Sequence, residues 1–304
     1  MTVSAVEVLR GFDADGVAYR QLASADPENG AEVMSIIAAG DVFPRFIAVN
    51  GEKHAIGFDT QQVATILGQC GLFGADVSPL TLYYQKVSNL SGREADDATV
   101  HSQIDAADCR MYINNITAGN RTSASAKGRV IPVSDGTNAP LIRTGSVAVT
   151  DAAPTTAENF VLGPISLNGT AIEGCNGLDV NLAPKEMELS DESFNYTTFA
   201  ANETITPVIS FTTTSPSAPS LHKAILASGN KFKAHLIRKK KNEERYAANE
   251  SQHIKFEVVS GIILVQAVSG SPREYRVEVH CSGVDADGFD GVPLTVAVNT
   301  AIVL

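Results

Sequence analysis

The chain has 304 residues, 44% hydrophobic and 19% charged, which is long enough for two ordinary domains and too apolar for a disordered protein. It carries 34 acidic and 23 basic residues, a formal charge of −11. The first 152 residues hold 17 acids and 11 bases and the remainder 17 and 12, so both halves are acidic, which argues against a nucleic-acid grip that must neutralise phosphates.

The absence of Trp and the abundance of Thr, Ser, Val, Asn and Gly favour strands and turns. The N-terminus has no charged region followed by an apolar core, so no signal peptide is expected. The first strand candidates are Gly16 to Leu22 and Arg45 to Asn50, with Asn50-Gly51 as a hairpin signal between Phe46–Val49 and His54–Phe58. Thr60 can cap a helix whose apolar positions Val63, Ile66, Leu67 and Cys70 make one buried stripe, and Gly71 ends it. A strand from Leu80 to Val87 follows, then a polar loop, Ser88 to Thr99, of a length that is often functional. Three strands close the first half: His101 to Thr117, Ser123 to Val133 and Pro140 to Val149.

After the Pro-containing linker 151–156 the same order returns. Strands are expected at Asn159 to Leu167 and Glu186 to Thr198, and a shorter helix capped by Ser220 through Leu221, Ala224 and Ile225 to Gly229. Next come a strand at Phe232 to Lys239, a polar loop at Lys240 to Gln252, and closing strands at His253 to Val268, Glu274 to Ser282 and Pro293 to Val303. The longest apolar run, near Gly261 to Val268, is far too short to span a bilayer as a helix. In near-constant register the block around Phe43 and Phe46 falls on Tyr196 and Phe199, and Ile56-x-Phe58-x-Thr60 falls on Ile209-x-Phe211-x-Thr213. The expected fold is therefore mainly β with one helix per domain: two tandem pseudo-repeat β-sandwich or barrel domains, 1–150 and 157–304.

Catalytic signals are lacking. The six histidines form no zinc or metalloprotease spacing, and a packed or surface role is expected for each. No nucleophile elbow, P-loop or dinucleotide pattern occurs. Asp13-Ala14-Asp15-Gly16 and Asp285-Ala286-Asp287-Gly288 open like calcium loops but lack the closing Glu, and turn chemistry accounts for both. Cys70, Cys109, Cys175 and Cys281 have no metal spacing and read as free thiols. No catalytic residue, cofactor or metal site is expected. Arg238, Lys239, Lys240 and Lys241 form the only basic cluster, followed at once by Glu243 and Glu244. The cluster reads as a solvated strand end, or as a charge-complementary contact with Asp96 and Asp97 in the other long loop of a neighbouring subunit. Deleting Glu243 to Ala248 is expected to leave each domain folded and to prevent assembly.

In these features the chain resembles the tail tube proteins of tailed bacteriophages. The resemblance rests on the helix Thr60–Gly71 and its partner Ser220–Gly229, the loops Ser88–Thr99 and Lys240–Gln252, and the closing strands. It is one of architecture and order, so no functional residues carry over. It implies a structural virion subunit without enzymatic activity that forms trimeric, pseudo-hexameric rings stacked around a DNA-conducting channel. The implied partners are further copies of the chain, a tail terminator, tail-tip or baseplate proteins, and DNA passing without specific binding. No membrane binding is implied, and assembly would occur in the host cytoplasm, with the product in the virion tail. An acidic channel wall would let DNA pass without sticking. A two-domain decoration or adhesion protein is the nearest alternative. A ring-shaped DNA sliding clamp or a virion surface enzyme with paired carboxylates is more distant.

Overall fold

The computed structural model describes residues 5–36, 39, 42–43, 46–88, 92–150, 157–191, 195–227, 231–240, 242, 244–268, 270, 273–283 and 291–304. In the first half these form β1 (Ala5–Ala14), β2 (Val17–Tyr19), β3 (Leu22–Ile36), β4 (Phe46–Thr60), α1 (Val63–Cys70), β5 (Ala75–Val77) and β6 (Leu80–Ser88). Then come β7 (Gly92–Arg93), β8 (His101–Ala106), β9 (Asp108–Ala118), β10 (Ser125–Val133) and β11 (Ile142–Val147). The second half supplies β12 (Phe160–Leu167), β13 (Thr170–Ile172), β14 (Cys175–Asn181), β15 (Pro184–Ser190), β16 (Thr197–Ile205) and β17 (Val208–Thr213). A 3₁₀ turn, Ala218–Leu221, precedes β18 (Ile225–Leu226), β19 (Phe232–Arg238), β20 (His253–Val258), β21 (Gly261–Val268), β22 (Glu274–Cys281) and β23 (Leu294–Thr300). The chain is mainly β, as expected.

The strands form a layered sandwich of antiparallel sheets. One outer sheet runs β11-β8-β6-β1-β2, with β7 beside β6, and the other runs β23-β20-β19-β12-β13. Both pack on a ten-stranded sheet ordered β18-β21-β22-β17-β14-β9-β10-β4-β3, with β5 beside β9. Phe12 of β1 meets Phe58 of β4 at 5.8 Å between ring centroids, and Phe232 of β19 meets Phe211 of β17 at 5.9 Å. A single apolar core runs through both contacts, from Tyr19, Leu82 and Met111 to Phe160, Phe256 and Val277. Alternation produces it: in β17 the pattern of Val208–Thr213 buries Ile209, Phe211 and Thr213 and leaves the residues between them half-buried.

The two outer sheets have one strand order. The hairpin β1–β2 turns through Asp15 (φ 48) and Gly16 (φ 74), and β12–β13 through Asn168 (φ 51) and Gly169 (φ 77). Both turns demand the left-handed region that Asp, Asn and Gly tolerate. This places Asp13–Gly16 in a hairpin turn, with Asp13 paired to Arg20 at 3.0 Å. The second Asp-rich motif lies outside the described residues, as does the linker 151–156.

Four expectations need correction. Asn50-Gly51 is not a hairpin turn: β4 runs unbroken through it, pairing with β3 along its length, and Asn50 is the extra residue where Glu32 faces Gly51 and Val33 faces Val49. Gly at a bulge mimics a turn signal. The strand opposite, β3, was masked in the sequence by Asp26, Pro27, Asn29 and Gly30, which a sheet edge tolerates. The second helix is also absent among the described residues. Pro216 and Pro219 leave only the 3₁₀ turn, and Lys223 and Ala224 give their backbone to Ile263 of β21 at 2.8 and 2.9 Å. One α-helix per domain therefore becomes one α-helix. Finally, Glu186–Thr198 is the two arms of a hairpin, β15 and β16, and His101–Thr117 breaks at Ala107 into strands of two different sheets.

Helix α1 buries the four residues its spacing foretold, Val63, Ile66, Leu67 and Cys70. Thr60 does not cap it directly: its Oγ1 accepts at 3.1 Å the N–H of Gln62, the residue just before the helix. The cap comes instead from the far side of the linker, where the buried Glu158 carboxylate accepts the N–H groups of Ala64 (2.7 Å) and Thr65 (2.9 Å).

Candidate assembly surfaces

The two long loops are built on one hydrogen-bond skeleton. In the first, His101 Nδ1 accepts the Lys86 N–H at 3.0 Å and its Nε2 reaches the Ala95 carbonyl at 2.7 Å. In the second, His253 Nδ1 accepts the Arg238 N–H at 3.3 Å and its Nε2 reaches the Ala247 carbonyl at 2.9 Å. Both rings are fully buried. With Nδ1 accepting, Nε2 must carry the proton, so each imidazole is held as one neutral tautomer that clasps its loop to the preceding strand. Matching backbone bonds follow. Glu94 and Tyr246 donate to the carbonyls of Lys86 and Arg238, both at 3.0 Å, and Val149 and Ile302 donate to those of Asp96 and Ala248 at 2.7 and 2.8 Å.

The charged residues singled out from the sequence fall on this skeleton at unlike positions. Asp96 corresponds to Ala248, and Arg238 to Lys86, so the acidic and basic runs occupy opposite ends of corresponding loops. Asp96 is engaged within the chain, with Arg10 at 3.1 Å and Gln85 at 2.8 Å, while Asp97 is exposed. Arg238 is half-buried and donates to Gln252 at 2.8 Å. Lys239 bridges to Arg245 through the backbone, and Lys240 lies 5.2 Å above the Tyr246 ring while its N–H donates to the Glu244 carbonyl. Lys240 and Glu244 are exposed. Lys241 and Glu243 lie outside the described residues. Because Ala247 and Ala248 carry the clasp and the bond to Ile302, deleting Glu243 to Ala248 would unfasten the loop and the last strand. Point substitutions are the better probe.

Sequence reasoning missed the two histidines as anchors. The signal was present: both strands that follow a long loop begin with His. It also missed the apolar hairpin arm of β3 and β4, where Val33 (62% exposed), Ile47 (64%) and Phe43 (78%) stand in solvent with Met34, Phe46 and Val49. The register puts Val33, Ile47 and Val49 on one face of the hairpin and Met34 and Phe46 on the other, and exposed apolar groups grouped on one face mark an interaction surface.

Among the described residues no group of three or more His, Cys, Asp or Glu stands together to hold a metal, and no helix is long and apolar enough to cross a membrane. The four cysteines are free, and burial pushes the thiols of Cys70, Cys109 and Cys281 up to about 12, far from nucleophilic. An open groove of about 530 Å³ follows the β9–β14 joint and presents hydroxyls and amides, with Asp179 and Arg276 as its charged members.

No protein-family model matches the chain, and no curated protein matches it either. Its role has to be read from its own surfaces.

The surface with the most definite chemistry is the joint inside the ten-stranded sheet. On one side stand β5-β9-β10-β4-β3 from the first half, and on the other β18-β21-β22-β17-β14 from the second. The edge strand β14 of the second set pairs antiparallel with β9 of the first, from Leu178 opposite Ala118 to Asn181 opposite Asn115. The joint is heterologous, since two different edges meet; among the described residues no strand pairs with the outer side of β3, and the free edge of β21 is covered by β18 at Gly261 and Ile262, by Lys223 and Ala224 at Ile263 and by His222 Nδ1 at Val265, which leaves Gln266 to Val268 open. A joint of this kind can repeat from copy to copy.

Proposed function

We propose that this chain is a self-assembling structural subunit, the major tail tube protein of a tailed bacteriophage, built from a duplicated domain and forming trimeric, pseudo-hexameric rings that stack around a DNA-conducting channel. The observation that carries the reading is the head-to-tail joint between two sets of strands of the same order, with the complementary edges left open. If the intrachain joint recurs between chains, each chain contributes two pseudo-equivalent units to one continuous inner sheet, and three chains supply six. The matched loop skeletons and hairpin turns support descent of both halves from one domain. A charge of −11 per chain suits a wall past which DNA must slide, and partners beyond its own copies would be proteins that cap or initiate the tube. The test is negative-stain microscopy with light scattering on the purified chain. Rings with apparent sixfold symmetry and the mass of three chains are expected. A monodisperse monomer at high concentration would overturn the proposal and favour a two-domain decoration protein.

A further inference from the structure

The intrachain joint has a second component besides strand pairing. The hairpin β15–β16, which continues from β14, crosses the outer face of the first half's sheet. Ala200 packs on Tyr112 and Ile131, Ser134 N–H donates to the Thr197 carbonyl at 2.8 Å, and Asn202 Nδ2 donates to the Phe73 carbonyl at 2.5 Å. Arg129 and Glu186 close an ion pair on the same face at 2.5 Å. Strand and hairpin together make one two-part contact.

The corresponding hairpin of the first half is β3–β4, and register identifies its contact positions. Ala25 faces Phe58 as Leu178 faces Phe211, which aligns β3 with β14. Continuing along the hairpin, Val33, Ile47 and Val49 take the places of Glu186, Ala200 and Asn202. In the second half those three contact the neighbouring sheet; in the first half they are exposed. The receiving surface is fixed the same way. Ile116 faces Ala126, which faces Thr60; Ala267 faces Tyr275, which faces Thr213. Ala267 of β21 therefore matches Ile116 of β9, and Leu264 matches Tyr112. On that face Ile262 (38% exposed) and Leu264 are apolar, while Glu278 and His280 of β22 take the places of Arg129 and Ile131.

We propose that a second copy of this chain occupies both surfaces at once: its β3 pairs antiparallel with the open edge of β21, with Asp26 opposite Val268, Pro27 opposite Ala267 and Glu28 opposite Gln266, while its hairpin lays Val33, Ile47 and Val49 over Ile262 and Leu264. The occupant is a copy of the chain because the contact continues one the chain already makes with itself, and because apolar side chains stand on both halves of it. Pro27 fits this edge. Its nitrogen faces outward, away from β4, so opposite Ala267 its carbonyl can accept the Ala267 N–H, and the one bond the pair lacks is a donor to the Ala267 carbonyl.

The proposal rests on the ring reading only for the number of copies, and one experiment separates the two. Asp26→Cys with Val268→Cys puts two thiols at directly opposed positions, within disulfide reach in an antiparallel pair. The native cysteines can stay, since burial keeps their thiols protonated. Under mild oxidation the band on a non-reducing gel should move from 32.0 kDa to two and three times that mass and end there. Asp26→Cys with Gln266→Cys, out of register, should cross-link several-fold less, and each single variant should stay at monomer mass. Circular dichroism melts of every variant check folding, and both sites are exposed. Rings seen by microscopy without cross-linking of the matched pair would overturn this contact and leave the ring reading standing. Monomers throughout, uncross-linked, would overturn both.

Discussion

Glu158 offers the sharpest stability test of how the two halves are fastened. Its side chain is 7% exposed, and its carboxylate accepts the Ala64 and Thr65 N–H groups and the Thr65 hydroxyl at 2.5 Å. Those two amides belong to the first turn of α1, where the helix itself supplies no acceptor. The Glu158 backbone is also held on both sides, its N–H by Gln21 Oε1 at 2.7 Å and its carbonyl by Gln21 Nε2 at 2.9 Å. Glu158→Ala removes the acceptor and leaves two helix amides facing an apolar gap. A hydrogen bond to a charged group contributes about 1.5–3 kcal/mol, and three sharing one carboxylate do not add in full. A further ~0.5 kcal/mol comes from a negative charge at a helix N-terminus. The expected loss is about 3 kcal/mol. Glu158→Gln keeps an acceptor without the charge and should lose about half as much. Urea unfolding followed by far-ultraviolet circular dichroism measures both, with unchanged slopes as the sign that only stability has moved. A loss below ~1 kcal/mol for Glu158→Ala, or equal losses for the two variants, would refute the cap.

Three further outcomes follow from the same geometry. Ile47→Asp should leave the melting curve of the isolated chain in place, because the side chain is exposed there, and should weaken assembly by more than about 100-fold, since the contact would bury an unpaired carboxylate; sedimentation against concentration measures it. His101→Ala and His253→Ala should each cost about 2 kcal/mol and speed amide exchange in their own loop alone, at corresponding positions, as read by exchange mass spectrometry. His235 is fully buried with Nδ1 on the Pro164 carbonyl at 3.1 Å, and desolvation holds it below its ordinary value of 6.5. The unfolded chain therefore binds a proton first, so stability present above pH 6.5 is lost as pH falls below it, and in melts from pH 7 to 5 the wild type should lose stability relative to His235→Asn, which cannot take up that proton.

The sheet architecture was legible where a strand has one wet face. The alternation in Ile209-x-Phe211-x-Thr213 and the stripe of Val63, Ile66, Leu67 and Cys70 gave elements that the fold contains. Legibility failed at edges and bulges. β3 carries Pro27 and Gly30 because within the chain no strand ladder forms on its outer side among the described residues, and Asn50-Gly51 bends a long strand where it imitates a turn. It failed again where tertiary contacts overrode local propensity: Ala224 and Ile225 are recruited by β21, so the pattern read as a helix becomes 3₁₀ turn and strand. The charged loop residues were found because charge stands out in sequence. The clasping histidines and the apolar hairpin were not, because a His that begins a strand does not show which backbone groups its ring holds, and an exposed apolar face reads in sequence like a buried one.

The measurement that bears most directly on the central claim is the mass and shape of the purified chain, by light scattering and negative-stain microscopy of one sample. Particles of three chains with a central hole and apparent sixfold rings, alone or stacked into tubes, are the predicted result. A single species of 32.0 kDa that forms no rings at any concentration would contradict it.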